Sequence, residues 1–160
     1  MNHITANPIV DGVRRLFGGS PARLQVAALP WRRKGGRVQV MLITTRDTGR
    51  WILPKGWPEV GEELSVAAAR EAHEEAGIDG AVALSEAGRY YYSKVAAGGD
   101  SIRCEVLVYP LEVNGVASKW KEKGQRSRKW VSPTKAAGMV TEPGLGDIIA
   151  AFGDAAPKAA

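Results

Sequence analysis

The sequence predicts an α/β fold in which a mixed β-sheet lies between helical layers. Three observations carry that expectation: six short segments with β-type apolar patterning, one strongly helical segment after the third of them, and a second helical segment near the end of the chain. At 160 residues, with 44% hydrophobic and 24% charged residues, the chain fits a single soluble domain with one compact core. It has no apolar run of the roughly 18 residues that a membrane-spanning helix needs. Residues 1–8 lack the basic-then-apolar order of a secretory signal, so the cytoplasm is the expected location.

Taken in order, residues 1–22 read as a loosely ordered leader. Within it Val13-Arg14-Arg15-Leu16-Phe17 weakly mimics a basic targeting helix, but Asp11 and the Gly18-Gly19 break argue against one. Residues 24–29 and 38–45 carry strand patterns and are joined by the turn-forming Lys34-Gly35-Gly36, so they read as a hairpin. Trp51-Ile52-Leu53 is a short strand before Pro54. The helix comes next, over residues 65–76, with Ser65 placed to cap its start and Gly77 to supply the left-handed residue that ends it. Residues 88–93 form a strand, and after the Gly98-Gly99-Asp100 turn residues 101–109 return antiparallel. Lys129-Trp130-Val131 completes the strands, a short turn is expected at residues 134–137, and a last helix at residues 145–152. The working domain is therefore residues 23–153, followed by a flexible tail over residues 154–160.

The single cysteine, Cys104, lies inside a strand pattern and reads as a small buried apolar residue. A net charge of +5 favours anionic partners: nucleic acid, acidic lipid or small polyphosphates. The cations gather at Arg32-Arg33-Lys34, over residues 46–55 and over residues 119–129, and any one cluster alone reads as a solvated loop.

The helix carries the informative pattern. At roughly 100° per residue, Glu71, Glu74 and Glu75 share one face, whereas Val66, Ala69, Ala72 and Ala76 fall on the other. His73 falls on the apolar side, which makes it a packed core or edge histidine and no metal ligand; His3 has no assigned role. Three carboxylates on one face weaken an isolated helix by some tenths of a kcal/mol per pair, and hard divalent cations such as Mg²⁺ or Mn²⁺ relieve that repulsion. On the carboxylates alone, a solvated acidic face neutralised by Arg70 and surface lysines is the plainer reading.

The surrounding spacing reverses that preference. From Gly56 to Ile78 the chain has the form G-x5-E-x7-R-E-U-x-E-E-x-G-U, where U is apolar, and Gly56, Glu62, Arg70, Glu71, Glu74, Glu75, Gly77 and Ile78 all fit. At ordinary residue usage the chance of such a match is about 10⁻⁸ per starting point. This segment resembles the signature box of the Nudix hydrolases, with Ala72 smaller than the aliphatic residue usual there. The resemblance implies an α/β/α sandwich with a central mixed sheet and the box as loop, helix, loop. It implies metal ligation by Glu71, Glu74 and Glu75 with the backbone carbonyl of Lys55, and Glu62 near the metals through water. Arg70 would orient a box carboxylate, and Gly56 would let the loop backbone approach the metal. The implied reaction is attack of a metal-activated water on a phosphorus of a diphosphate linkage, with Mg²⁺ as cofactor and Mn²⁺ as an alternative. Glu71, Glu74, Glu122 and Glu142 all stand as candidates for the general base.

The approach to the box, Thr44-Thr45-Arg46 and then Gly49-Arg50-Trp51-Ile52-Leu53-Pro54-Lys55-Gly56, is similar to that of diphosphoinositol polyphosphate and dinucleoside polyphosphate hydrolases, as is the basic segment over residues 122–130. This makes Arg46, Arg50, Lys55 and Arg126 the phosphate-contact candidates and a small anionic polyphosphate the expected substrate. Tyr90, Tyr92 and Trp120 are candidate stacking platforms, whereas Trp31, Trp51 and Trp130 read as packing. The alternatives are a hydrolase of nucleoside triphosphates or nucleotide sugars, or a non-catalytic module binding polyphosphate or RNA. Neither a nucleic-acid nor a membrane partner is expected.

Overall fold

The computed structural model describes residues 21–156, so the expected leader up to Ser20, including the Val13 to Phe17 segment, lies outside the described residues. Eight strands form one sheet among the described residues: β1 (Arg23–Lys34), β2 (Arg37–Thr44), β3 (Trp51–Ile52), β4 (Lys55–Gly56), β5 (Ile78–Val82), β6 (Gly88–Val95), β7 (Ser101–Val116) and β8 (Arg128–Val131). Among the described residues three helices accompany them, α1 (Leu64–Ala76), α2 (Pro133–Met139) and α3 (Leu145–Ala155). The main path runs β3-β2-β1-β7-β5, with β4 on β1, β6 on β7 and β8 on β2. The β1–β7 pair is parallel, from Arg23 opposite Cys104 to Trp31 opposite Glu112, and the other pairs are antiparallel. The sheet is therefore mixed, as the order of elements predicts.

Strand alternation divides the core in two. On β1, Val26 and Ala28 face the layer formed by α1, while Ala27, Leu29 and Trp31 face the layer formed by α2 and α3. Met41 and Ile43 against Val40 and Leu42 on β2, and Leu107 and Tyr109 against Val106 and Val108 on β7, repeat the division. Both faces are covered, which explains the continuous apolar runs in these central strands. Leu29, Leu42, Ile43 and Leu53 are fully buried, and each contributes about 1.5–3 kcal/mol of hydrophobic stabilisation. Cys104 is buried with them, as expected.

Helix α1 meets the sheet through Ala67, Ala68, Ala72 and Ala76, all fully buried. Alanines favour the helix and keep its axis close to Met41, Ile43 and Leu107, which accounts for the small residue at position 72. This contact corrects the helical wheel. Val66 is half exposed and His73 is exposed, with Nδ1 at 2.8 Å from Asp79 Oδ1, so His73 is not a packed histidine. The buried stripe runs through residues 68, 72 and 76, and counting Val66 as apolar had drawn its centre off that line. The helix also begins at Leu64, with Glu63 at the cap position and no side-chain cap, so Ser65 is a buried residue of the first turn.

On the other face, Ser132 caps α2 by accepting from Lys135 N at 3.2 Å, and Pro133 occupies the first helical position. Helix α3 packs Leu145, Ile148 and Ile149 into the core, and the Phe152 ring lies tilted against Trp31 with centroids 5.7 Å apart. It runs to Ala155, beyond the expected end at Phe152. Strands β4 and β5 were not foreseen. β4 is only two residues long, and β5 runs through Asp79-Gly80, where its register shifts against β7.

Gly80 is fixed by that register shift, because an added Cβ would lie 2.0 Å from the Glu112 carbonyl oxygen. Gly80→Ala is expected to lower unfolding stability by about 2–3 kcal/mol through forced backbone displacement. Gly98→Ala meets nothing within 4 Å and is expected to change stability by less than about 0.5 kcal/mol; urea denaturation of both variants checks the contrast.

Candidate active site

The site grows from the end of α1. Gly77 adopts a left-handed conformation (φ 64°) and its N–H bonds back to the His73 carbonyl at 3.1 Å, closing the helix. The last carbonyls are taken from outside: Trp120 Nε1 donates to Glu75 O at 3.1 Å, and Arg128 donates to Ala76 O at 2.8 Å and Ala117 O at 2.7 Å. Trp120 lies so close to Gly77 that any Cβ there would meet its ring, and the Arg128 guanidinium covers the ring at 3.9 Å. Trp120 is thereby committed to fixing the helix terminus and is not a stacking platform.

With the backbone fixed, Glu71 and Glu75 point under the helix towards β4, each buried. Gly56 makes this arrangement feasible, since a side chain there would overlap the Glu71 carboxylate at 2.3 Å. Glu75 accepts from Lys55 N at 3.1 Å and from Arg126 Nη2 at 3.0 Å. Glu71 accepts from Arg70 Nη1 at 2.9 Å. Arg70 also grips Glu62 with two parallel bonds of 2.9 and 3.0 Å and donates to Trp57 O at 3.1 Å. Glu74 is more open, with Lys121 at 3.6 Å and Arg70 at 3.8 Å.

Burial pushes the Glu75 carboxyl up to about 7, and the charges of Glu71 and Glu122 add to the rise, against the pull of Arg126 and the Lys55 N–H. Burial likewise raises Glu71, opposed by Arg70 and reinforced by Glu74 and Glu122. The hydrogen bonds from Arg70 hold Glu62 down at about 2. Burial lowers the Lys55 ammonium, with Glu75 and Glu142 working to restore it.

A cavity of about 560 Å³ opens beside this group, lined by Arg50, Tyr91, Tyr92, Arg103, Thr141 and Glu142 among others. Lys55 links the two, with its backbone on Glu75 and its Nζ 4.8 Å from the Tyr92 ring. Arg50 bonds Thr141 at 3.3 Å and Glu142 at 3.4 Å. Arg126, almost enclosed, also reaches Thr44 O at 3.0 Å and Glu122 at 3.6 Å, and Arg46 pairs with Glu122 at 3.4 Å. Of the four basic candidates, Lys55 and Arg126 meet the box at Glu75, whereas Arg46 lies on Glu122 and Arg50 on Glu142, and Arg126 bonds to protein and not to open space. Tyr90 is 2% exposed and unavailable for stacking; Tyr92 lines the cavity. Tyr91, Ser93, Arg103 and Thr141 were not anticipated. The only signal for them was the position of the β6–β7 hairpin, whose neighbours cannot be read from spacing.

The NUDIX domain model matches residues 21–152. The chain belongs to the Nudix hydrolase family. Among its Arabidopsis thaliana relatives, Nudix hydrolase 21, chloroplastic, is 33% identical over 81% of this chain and 66% of its own length. Nudix hydrolase 16, mitochondrial, is 31% identical over 87% and 79%. The Caenorhabditis elegans Ap4A hydrolase shares the Nudix fold with a TM-score of 0.61 at 20% identity, covering 85% of this chain and 99% of that one. The sheet between helical layers is accordingly the Nudix sandwich. No helix among the described residues is long and apolar enough to cross a membrane.

Nudix hydrolases generally use divalent metal cations. The donor set here fits such an ion chemically: oxygen ligands only, with two buried carboxylates whose mutual repulsion a cation would relieve. No three acidic, histidine or cysteine side chains among the described residues are already gathered into a cage, because Arg70 and Arg126 hold the oxygens of Glu71 and Glu75.

Because the folded state raises Glu75 from 4.5 to about 7, metal-free protein loses stability from this group as pH climbs from about 4.5 through 7. Arg126→Met removes the partner of a buried carboxylate and is expected to cost about 3 kcal/mol at pH 8. The deficit should shrink at pH 5.5, where Glu75 takes up a proton. Denaturation in EDTA at the two pH values measures the difference.

Proposed function

We propose that the chain is a divalent-metal-dependent hydrolase of the diphosphate linkage in a small substrate carrying several phosphates, with dinucleoside and diphosphoinositol polyphosphates as first choices. The observation that carries this reading is a chain of basic groups running from the buried box to the cavity: the Lys55 N–H and Arg126 on Glu75, Arg46 beside Arg126 on Glu122, and Arg50 on Glu142 at the cavity wall. A polyphosphate supplies negative charge on either side of the scissile bond, and such a row of cations matches it.

In this reading Glu71, Glu74 and Glu75, with the Lys55 carbonyl and Glu62 through water, hold Mg²⁺, or Mn²⁺ in its place. Glu75 would exchange its Arg126 contact for the cation. Bound there, the cation supplies a water acidic enough to ionise near neutral pH and offsets charge on the phosphate oxygens. Arg70 keeps Glu71 oriented by its bond at 2.9 Å. Arg46, Arg50, Lys55 and Arg126 orient the phosphates. Of the base candidates, Glu122 faces Arg46 and Arg126, Glu74 faces Lys121, and Glu71 faces Arg70. Glu142 lines the cavity and keeps a buried oxygen, Oε2, with no hydrogen-bond partner. Of the four, Glu142 is the preferred acceptor of the proton from the attacking water. A cytoplasmic location is part of the same proposal.

Phosphate release is expected to fall at least about 100-fold in Glu74→Gln and Glu75→Gln, and wild-type release from both with Mg²⁺ would sink the metal assignment. Glu142→Gln should lower kcat about 100-fold or more while leaving Mn²⁺ affinity near wild type, which electron paramagnetic resonance reads directly. Substrate class is tested by assaying diadenosine polyphosphates, diphosphoinositol phosphates, nucleoside triphosphates, ADP-ribose and NADH side by side. Preference for ADP-ribose or NADH would overturn the polyphosphate reading.

A further inference from the structure

Resting on the reading that the box cleaves a diphosphate linkage, we infer that Arg103 and Arg50 form a second phosphate subsite, which holds a phosphate of the substrate beyond the scissile bond. Both guanidinium groups line the cavity, which is large enough for a phosphorylated group of several heavy atoms. Their charges are not cancelled in the same way as the other arginines nearby. Arg70, Arg89 and Arg126 each hold carboxylates at 2.7–3.0 Å. Arg50 touches Glu142 only at 3.4 Å, and no carboxylate among the described residues pairs with Arg103. Arg103, facing the cavity with no carboxylate of the described residues paired to it, is a standing donor for an anion, and Arg50, held only by a longer contact to Glu142, adds a second.

The chemistry of the walls narrows the guest. Arg103 lies 4.6 Å from the Tyr91 ring centre and Lys55 Nζ lies 4.8 Å from that of Tyr92, so each ring already carries a cation on a face. These cations add positive potential at the tyrosines and take ring surface on which a nucleobase would stack. Strand register places Arg103 opposite Ser93 and Tyr92 opposite Cys104, so Arg103 and the two tyrosines are held by one hairpin, while Lys55 reaches Tyr92 from β4. The subsite therefore selects a phosphate group over a base at the end of the substrate that enters this cavity.

Isothermal titration of the full chain with inorganic tripolyphosphate in EDTA tests the subsite without turnover or metal. Wild type should bind, Arg103→Gln should weaken binding about tenfold or more, and Arg103→Lys should recover part of the loss. Arg37→Gln, at an exposed position outside the cavity, controls for net charge. Saturating adenosine should not displace the tripolyphosphate. Wild-type affinity in Arg103→Gln, an equal loss in Arg37→Gln, displacement by adenosine, or no binding by wild type would each overturn the assignment. With Mg²⁺ and a hydrolysed polyphosphate, Arg103→Gln should raise KM with little change in kcat; an effect on kcat alone counts against a subsite. Absence of hydrolysis with intact, Arg103-dependent tripolyphosphate binding would sink the proposed activity and leave the subsite standing.

Discussion

Two carboxylates held where water is scarce set the terms for the rest of the molecule. Glu71 and Glu75 lie on the part of α1 that turns towards β4, and removing an ion from water costs several kcal/mol unless other charges and donors replace the lost hydration. The replacements come from different stretches of chain: Arg70 on the helix itself, the Lys55 N–H from β4 and Arg126 from the segment before β8. Each is positioned by something else. Glu62 and the Trp57 carbonyl fix Arg70, and the Thr44 carbonyl fixes Arg126. The geometry of the site is thus an outcome of electrostatic compensation as much as of packing.

The sheet makes that compensation simultaneous. β1 pairs with β2, β4 and β7, so the loop carrying Lys55, the strand ending at Thr44 and the wall carrying Arg103 are all referred to one central strand. The two helical layers contribute unequally. Helix α1 supplies the acids, whereas the opposite layer supplies the Thr141-Glu142 connection between α2 and α3, which meets Arg50 across the cavity.

The central strands were legible because they are long and buried on both faces, and the box because its fixed residues are close in sequence. The hairpin of β1 and β2 shows the former, announced by Lys34-Gly35-Gly36. β4 and β5 were hidden by brevity and by Asp79-Gly80, whose turn chemistry serves a register shift. The helical wheel located the acids but misplaced Val66 and His73, since it weighs hydrophobicity and not how closely small residues let a helix approach. In the site, cations near the box in sequence were found. Arg103 and Tyr91 were not, because their place depends on which strands lie side by side. Trp120 reads as an aromatic platform in sequence and becomes a clamp on the helix end only through its contact with Gly77.

The parallel ladder between β1 and β7 also governs the order in which the chain can acquire its shape. Arg23 finds its partner in Cys104, and Trp31 in Glu112, so one long edge of the first hairpin must wait for about half of the chain to be synthesised. At translation rates of about 5–20 residues per second that interval lasts several seconds. During it, Val26, Ala27, Ala28 and Leu29 present apolar side chains and unpaired peptide groups without the strand that later covers them. Closure of such distant contacts is slow in folding generally. The strand that anchors the finished site is therefore also a surface at which the nascent chain can misassociate.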